Sequence, residues 1–565
     1  MPSSGSSLPV TLTEALLRAA ESYPDRGVVI LDRRGRTSDG RSFPELLDSA
    51  RATAARLLRL GVAPGDPVAV SLPTSWAWLE SWYGALLLGA LPVAMAPGPL
   101  LGSNREHIDR LQAVLSQLQA RHLICPPTLK RQIRQQGALD GEVKVITPKE
   151  LATVSPTPEV PEGETDSESV AFLQLTSGTT GVQRAVMIRH RGAMHNAAAI
   201  GAAIVDPLGA PVHSFRNRAV VSWLPLYHDM GLVGCLVTGL VYGLDIYLLP
   251  ALAFLGRPHL WLETLSRLGQ TVSAAPNFGY QLCVERLTDE QIEGLDLSRW
   301  IAAMVGAEMV RPDTTDAFHR RFGPRGFQLG AFRPCYGLAE ATLAVTMDCR
   351  GDGPRSRRLP EGSEAGLALD SVISSGTPLS DTHVRATSPD GGVLSDGRIG
   401  EIRVKGPGVF AGYYNDPDAT AEALEDGWLR TGDLGFLYGG ELYITGRTKD
   451  VLIVHGQNLM PHEVERIAES VTGGGGSCRA GAFSIARGPE GEEIVLVAEV
   501  STQNGHQLEK MAAAIRSRIG QALALPVADV AFVAGGRIPK TTSGKVRRGQ
   551  LRQDYLAGRL ARMEY

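Results

Sequence analysis

Short apolar runs alternate with segments of helical periodicity through the first third of the chain. That alternation restricts the architecture more than any other feature. Phe43 to Leu60 carries apolar residues at helical spacing, Gly61-Val-Ala-Pro-Gly-Asp66 reads as a turn, and Pro67-Val-Ala-Val-Ser-Leu72 as a short strand. Ser75 to Gly89 is helical again, and Leu91-Pro-Val-Ala-Met95 is a second strand. Strands separated by helices imply βαβ units, and hence largely parallel sheets covered on both faces. At 565 residues the chain is too long for one ordinary core, so several subdomains are expected.

Further along the pattern changes. Thr153 to Ser169 is rich in Pro, Glu and Ser and reads as an exposed connector, and Arg350 to Leu367 as a polar loop carrying four arginines. Val384-Arg-Ala-Thr-Ser-Pro-Asp-Gly-Gly392 and Glu401-Ile-Arg-Val-Lys-Gly406 read as hairpin strands of a β-rich subdomain. Met230 to Leu244 is apolar, uncharged and rich in glycine; it is short for a membrane span and reads as a buried helix running into a strand at Ile246.

The bulk properties exclude several classes. A net charge of −4 gives no footprint for nucleic acid or an anionic membrane. The six cysteines are scattered without a Cys-x-x-Cys pair, which argues against a zinc site or a disulfide framework. The polar lead Met1-Pro-Ser-Ser-Gly-Ser-Ser7 has neither a basic nor an apolar signal region, so a cytoplasmic location is expected. No Gly-x-Ser-x-Gly elbow or His-Glu-x-x-His helix is present to suggest a hydrolase.

The chemistry is concentrated in Leu175-Thr-Ser-Gly-Thr-Thr-Gly-Val-Gln-Arg184, which directly follows the strand-like run Val170-Ala-Phe-Leu-Gln174. Such a loop turns backbone N–H groups and hydroxyls toward one anion, and its glycines allow close approach. A polyphosphate is the ligand it suits. It is not a Walker A loop, because Gly544-Lys545 is followed by Val546 and has Pro539 in place of the first glycine. In isolation, a Ser/Thr/Gly loop is more often a solvated turn.

Further motifs follow in order: Pro225-Leu-Tyr-His-Asp-Met-Gly-Leu232, Gly306-Ala-Glu308, Cys335-Tyr-Gly-Leu-Ala-Glu-Ala-Thr342, Thr431-Gly-Asp-Leu-Gly435, Gly446-Arg-Thr-Lys-Asp-Val451 and Arg537-Ile-Pro-Lys-Thr-Thr-Ser-Gly-Lys-Val-Arg-Arg548. With this series, nearly the whole chain resembles the adenylate-forming superfamily of acyl-CoA synthetases, luciferases and peptide-synthetase adenylation domains. The resemblance implies an α/β fold: a large N-terminal domain, residues 1–448, of layered sheets and helices with a β-rich subdomain. A small mobile α+β C-terminal domain, residues 449–565, is expected to turn about Lys449.

Members of that superfamily activate a carboxylic acid with ATP and Mg²⁺. A carboxylate must attack the α-phosphorus of a highly anionic nucleotide, so nearby positive charge and oriented donors carry most of the catalysis. By resemblance Lys545 supplies that charge, against the alternative that Lys540, Lys545, Arg547 and Arg548 form a solvated basic tail. The resemblance puts the β- and γ-phosphates on Thr176, Ser177, Gly178, Thr179, Thr180 and Gly181, with Arg184 standing where many relatives have lysine and Gln183 where many have proline. Glu340 is expected to carry Mg²⁺. Tyr336 is expected to stack on adenine beside Gly306, Ala307 and Gly337, and Asp433 and Arg447 to grip the ribose. His228 is expected to orient the substrate carboxylate rather than act as a base, and Met230 and Phe278 to line the acyl pocket.

Leu224 to Leu232, Ala274-Ala-Pro-Asn-Phe-Gly-Tyr280, Gly306-Ala-Glu-Met-Val-Arg-Pro312 and Tyr336 to Thr342 look most like fatty acyl-AMP ligases, with Ala339 where many CoA ligases carry threonine. That branch passes the acyl group to a carrier-protein phosphopantetheine thiol. The alternatives are a complete acyl-CoA ligase using free CoA and a catalytically silent relative that binds an acyl-adenylate or a carrier protein. The polar stretch after Val345 is modest for the insertion common in that branch, and His455-Gly-Gln-Asn-Leu-Met-Pro461 does not decide which thiol enters.

Overall fold

The computed structural model describes residues 8–98, 104–139, 141, 143–157, 165–176, 183–205, 218–358, 371–454, 457–473, 480–486, 492–523, 525–541 and 545–564. The alternation in the first third folds as the periodicity predicts. The helix Phe43–Arg59 starts at a reciprocal cap: Oγ of Ser42 accepts from the Glu45 N–H, and Oε2 of Glu45 accepts from the Ser42 N–H at 2.8 Å. It buries Phe43, Leu46, Leu47, Ala50, Ala54 and Leu57 against the helix Trp76–Leu87. Gly84 permits that approach, because a Cβ there would lie 2.8 Å from Thr53.

Two sheets form the main body. In the six-stranded sheet the order is Lys144–Ile146, His122–Ile124, Pro67–Val70, Leu91–Ala94, Val170–Leu175 and Ala185–Arg189, parallel except at the last pair. The nine-stranded sheet has a parallel centre: Phe332–Gly337, Trp300–Val305, Gln270–Ala275, Arg218–Ser222, Asp245–Leu248 and Gly27–Leu31. Antiparallel strands close both of its edges. Residues 383–447 form an antiparallel sheet in which His383–Thr387 and Gly400–Lys405 pair as the sequence predicts.

After residue 451 come the strands Ala480–Ala486, Glu492–Val500 and Val527–Ala534, with the helices Pro461–Thr472, Gly505–Leu523 and Arg548–Leu556. Their apolar clusters hold only residues from Leu452 onward, whereas the main core runs from Leu12 to Leu442. Gly473 ends its helix in the left-handed conformation, at φ 76°.

Two local expectations change. Met230–Val237 winds as a π-helix before Thr238–Val241 continues as an α-helix, and Oγ1 of Thr238 donates to the Val233 carbonyl at 2.9 Å. Apolar periodicity over so few residues does not separate the two windings. The Arg350–Leu367 stretch is not simply a polar loop: Ser356–Arg357 pairs with Val372–Ile373, and the buried Glu441 accepts Arg355 at 2.7 Å and Arg350 at 3.3 Å. Residues 359–370 lie outside the described residues. Among the described residues, no helix is long and apolar enough to cross a membrane.

Candidate active site

Neighbouring parallel strands of the large sheet end on one edge, and each empties into a motif. Arg218–Ser222 leads to His228, Gln270–Ala275 to Asn277 and Phe278, and Trp300–Val305 to Gly306 and Ala307, while Phe332–Gly337 carries Tyr336 at its own end. The carboxyl ends of parallel strands are where open α/β sheets bind ligands. A cleft of about 1980 Å³ lies there, and residues from the other sheets and from the C-terminal part complete it.

At one wall Asp433 and Arg447 face each other in register on adjacent antiparallel strands. Oδ1 of Asp433 accepts from Nε of Arg447 at 2.7 Å, and Oδ2 accepts the Tyr336 hydroxyl at 2.7 Å. Asp433 raises the Arg447 guanidinium above its ordinary value. Burial, and then Asp433, push the Tyr336 phenol well up. Tyr336 is thus a neutral hydroxyl tied to the carboxylate, with its ring and Gly337 on the cleft.

Ala307 also lines the cleft, in the left-handed region at φ 66°, which turns the backbone after Val305. Gly306 does not line it. A Cβ at Gly306 would meet Sγ and the carbonyl oxygen of Cys335 at 2.7 Å, so glycine lets two strand ends close together.

Lys545 separates from its basic neighbours. Lys540 lies 3.7 Å from Glu499, and Arg548 binds Glu465 at 2.7 Å and Asp450 at 3.1 Å, which argues against a merely solvated basic tail. Lys545 has no ion pair among the described residues and lines the cleft, half-buried. Its backbone N–H donates to Oγ1 of Thr541 at 3.0 Å, and its carbonyl accepts the Thr541 N–H at 2.7 Å. Burial, and then Arg447, lower the ammonium below an ordinary lysine, against the pull of Asp433, Glu308 and Asp229. Lys449 also lines the cleft, on the exposed turn Thr448–Asp450.

His228 is held by its neighbour: Oδ1 of Asp229 lies 2.7 Å from both Nδ1 of His228 and the Met230 amide nitrogen. Burial raises the Asp229 carboxyl, but His228, the Met230 N–H and Lys545 outweigh it and leave it below the usual range. With Nδ1 engaged, Nε2 is the ring nitrogen left for a ligand. Met230 and Phe278 line the adjoining apolar wall with Gly234, Leu255 and Leu343.

At the other end, Oε1 of Glu340 accepts the Tyr413 hydroxyl at 2.8 Å, and burial raises the Glu340 carboxyl. The Arg184 guanidinium lies 5.1 Å over the Tyr413 ring, with its Nε 3.6 Å from Asp416. The Thr176–Arg184 loop is pinned at its base. Thr176 N–H donates to the Arg184 carbonyl at 2.9 Å, Arg184 N–H donates to Oγ1 of Thr176 at 3.1 Å, and Nε2 of Gln183 donates to the Thr176 carbonyl at 3.0 Å. Ser177, Gly178, Thr179, Thr180 and Gly181 lie outside the described residues.

Sequence reasoning assigned no role to Asp229 or Tyr413. Asp229 stood inside a quoted motif and carried a signal, a carboxylate beside a histidine. Tyr413 lies 73 residues from Glu340 and carried none.

Known proteins match this chain along most of its length. The family model for AMP-binding enzymes matches residues 16–414. A Caulobacter vibrioides protein named as an acyl-CoA synthetase is 35% identical, over 97% of this chain and 96% of its own. Mycobacterium tuberculosis long-chain-fatty-acid–AMP ligase FadD26 is 32% identical over 100% of both chains. A solved structure from a study of fatty acyl-adenylate ligases of E. coli and L. pneumophila superposes with a TM-score of 0.87 at 29% identity, covering 97% of this chain and 98% of that one.

Proposed function

The chain belongs to the AMP-binding enzyme family, and we propose that it activates a fatty or other apolar carboxylic acid as its acyl-adenylate and delivers the acyl group to a carrier-protein phosphopantetheine thiol. The observation that carries this reading is the meeting of Lys545, His228 and the Asp433–Arg447 pair in one cleft with the apolar wall of Met230 and Phe278. The fatty acyl-AMP ligase relatives support adenylate formation.

In the first step a substrate carboxylate oxygen attacks the α-phosphorus, the α–β bridging bond breaks, and pyrophosphate leaves. Lys545 sits between the two anionic reactants and offsets charge at the oxygens on phosphorus. Nε2 of His228, oriented through Asp229, donates to the incoming carboxylate, which is already ionised and needs no base. Asp433 accepts from the ribose hydroxyls, and the wall of Ala307, Gly337 and Tyr336 receives the adenine. The Thr176–Arg184 loop and the Arg184 guanidinium bind the phosphate tail.

Among the described residues no group of three or more His, Cys, Asp or Glu could hold a metal ion unaided. Glu340 is a single carboxylate beside the phosphate loop, which fits Mg²⁺, an ion usually held by one or two carboxylates plus substrate phosphates. When bound there, Mg²⁺ neutralises phosphate charge, and Tyr413 holds the Glu340 carboxylate in place.

We further propose that residues 449–565 form a mobile domain hinged near Lys449; the separate apolar clusters on either side of residues 445–451 support this. The test of the function is ATP–pyrophosphate exchange with a panel of linear, aryl and branched acids. Acid-dependent exchange is expected; none with any acid, alongside tight binding of an acyl-adenylate, would favour a silent binding protein.

A further inference from the structure

An ion pair joins the two parts of the chain along the lining of the same cleft. Nη1 of Arg311 lies 3.0 Å from Oε2 of Glu469, and the side chains are 20% and 6% exposed. Arg311 directly precedes the helix Pro312–Phe322 in the main body, and Glu469 lies on the helix Pro461–Thr472 of the C-terminal part.

Arg311 and the helix bearing Glu469 are each held from behind. Oδ1 of Asn277 accepts the Arg311 N–H at 3.0 Å, and Nδ2 of Asn277 donates to the Met309 carbonyl at 2.8 Å. Asn277 is 1% exposed and directly precedes Phe278 of the apolar wall. On the other side Glu465, one turn before Glu469, is gripped by Nε and Nη2 of Arg548 at 2.7 and 2.8 Å. Arg548 reaches Asp450 at 3.1 Å and stands three residues after Lys545. A continuous set of fixed contacts therefore runs from the apolar wall, through Arg311 and Glu469, to the segment bearing Lys545.

We propose that the Arg311–Glu469 pair is a latch that holds the C-terminal domain where Lys545 enters the cleft, making Arg311 a positioning residue for adenylation. This rests on the two-domain, two-step reading above. A nearly buried ion pair has a steep, short-ranged dependence on geometry, so a rotation of the C-terminal domain breaks it entirely. Neither residue is among the groups that act on the reactants in the proposed adenylation. Its contribution is to the fraction of molecules in the adenylating arrangement, and that fraction scales kcat.

The test is a double-mutant cycle of Arg311→Gln and Glu469→Gln in the full chain. It is read by ATP–pyrophosphate exchange and by hydrogen exchange of residues 461–472 and 309–316. Each single variant is expected to lower the exchange kcat about tenfold, and the double variant to be no slower than the slower single. Protection should fall in both segments together in every variant. Multiplicative losses, unchanged kcat, or loss of protection in one segment alone would overturn the latch. A wild-type chain that shows no exchange with any acid counts against the enzymatic reading, and hydrogen exchange then decides the latch by itself.

Discussion

Replacing Lys545 by methionine removes the cation while keeping most of the stem, and separates catalysis from folding. A cation about 4 Å from a developing anionic oxygen contributes about 4 kcal/mol at an effective dielectric near 20. Part of that attraction already acts on bound ATP, so about 3–4 kcal/mol is specific to the transition state, a loss of about 10²–10³ in kcat. The folded state works against this ammonium, because burial and Arg447 lower its pKa below that of the unfolded chain. The unfolded chain then binds more protons in the window just below the ordinary lysine value, and stability rises with pH there. Below the lowered pKa the full penalty of holding the charge is present. At pH 7 Lys545→Met is therefore expected to keep or raise Tm while exchange activity collapses. Exchange kinetics at saturating ATP and acid, with calorimetry on the same sample, measure both. Wild-type exchange in the variant, or a fall in Tm matching the lost activity, would refute the reasoning.

Other consequences concern separate parts of the molecule. Glu340→Gln should raise the Mg²⁺ concentration for half-maximal exchange by about tenfold or more, read from an Mg²⁺ titration; an unchanged requirement would remove Glu340 from the metal site. Gly234→Phe should lower kcat/KM for long acids by about tenfold or more relative to short ones, because even a Cβ there comes 2.9 Å from Cδ2 of Leu343 in the apolar wall; equal losses for all lengths would argue against that wall as the acyl site. Burial lowers His462 to about 3, so the unfolded chain takes up a proton between that value and 6.5 that the folded chain refuses, and stability falls on acidification through this window. At pH 5 the cost is about 2 kcal/mol, and His462→Gln should flatten the fall in Tm between pH 7 and 5; parallel curves would contradict it.

Local signals carried the first half of the fold well. The periodicity of Phe43–Arg59 and the turn before Pro67 are properties of neighbouring residues, and each appears where the pattern puts it. The winding of Met230–Val237 was not legible, because it depends on how Thr238 and the surrounding core accommodate an extra residue per turn. Composition left the arginines after Met347 in a loop, whereas the buried Glu441, nearly a hundred residues on, gathers two of them.

Much the same holds for the site. Motif order brought Lys545, Asp433, Arg447, His228 and Glu340 to attention, and the carboxyl edge of the parallel strands, met by loops from the other sheets and the C-terminal part, brings them to one cleft. At Gly306 the glycine also serves packing, since its missing side chain allows the approach of Cys335. Tyr413 and the Arg311–Glu469 pair depend on contacts 73 and 158 residues apart, and no single-chain pattern encodes such a pairing.

The most direct test of the central claim is mass spectrometry of products formed from ATP, Mg²⁺ and an activated acid. Free CoA is supplied in one reaction and a phosphopantetheinylated carrier protein in the other. Acyl-AMP that persists in the presence of CoA, with acylation of the carrier, is the predicted result. Quantitative conversion to acyl-CoA would contradict it and make the protein a complete acyl-CoA ligase.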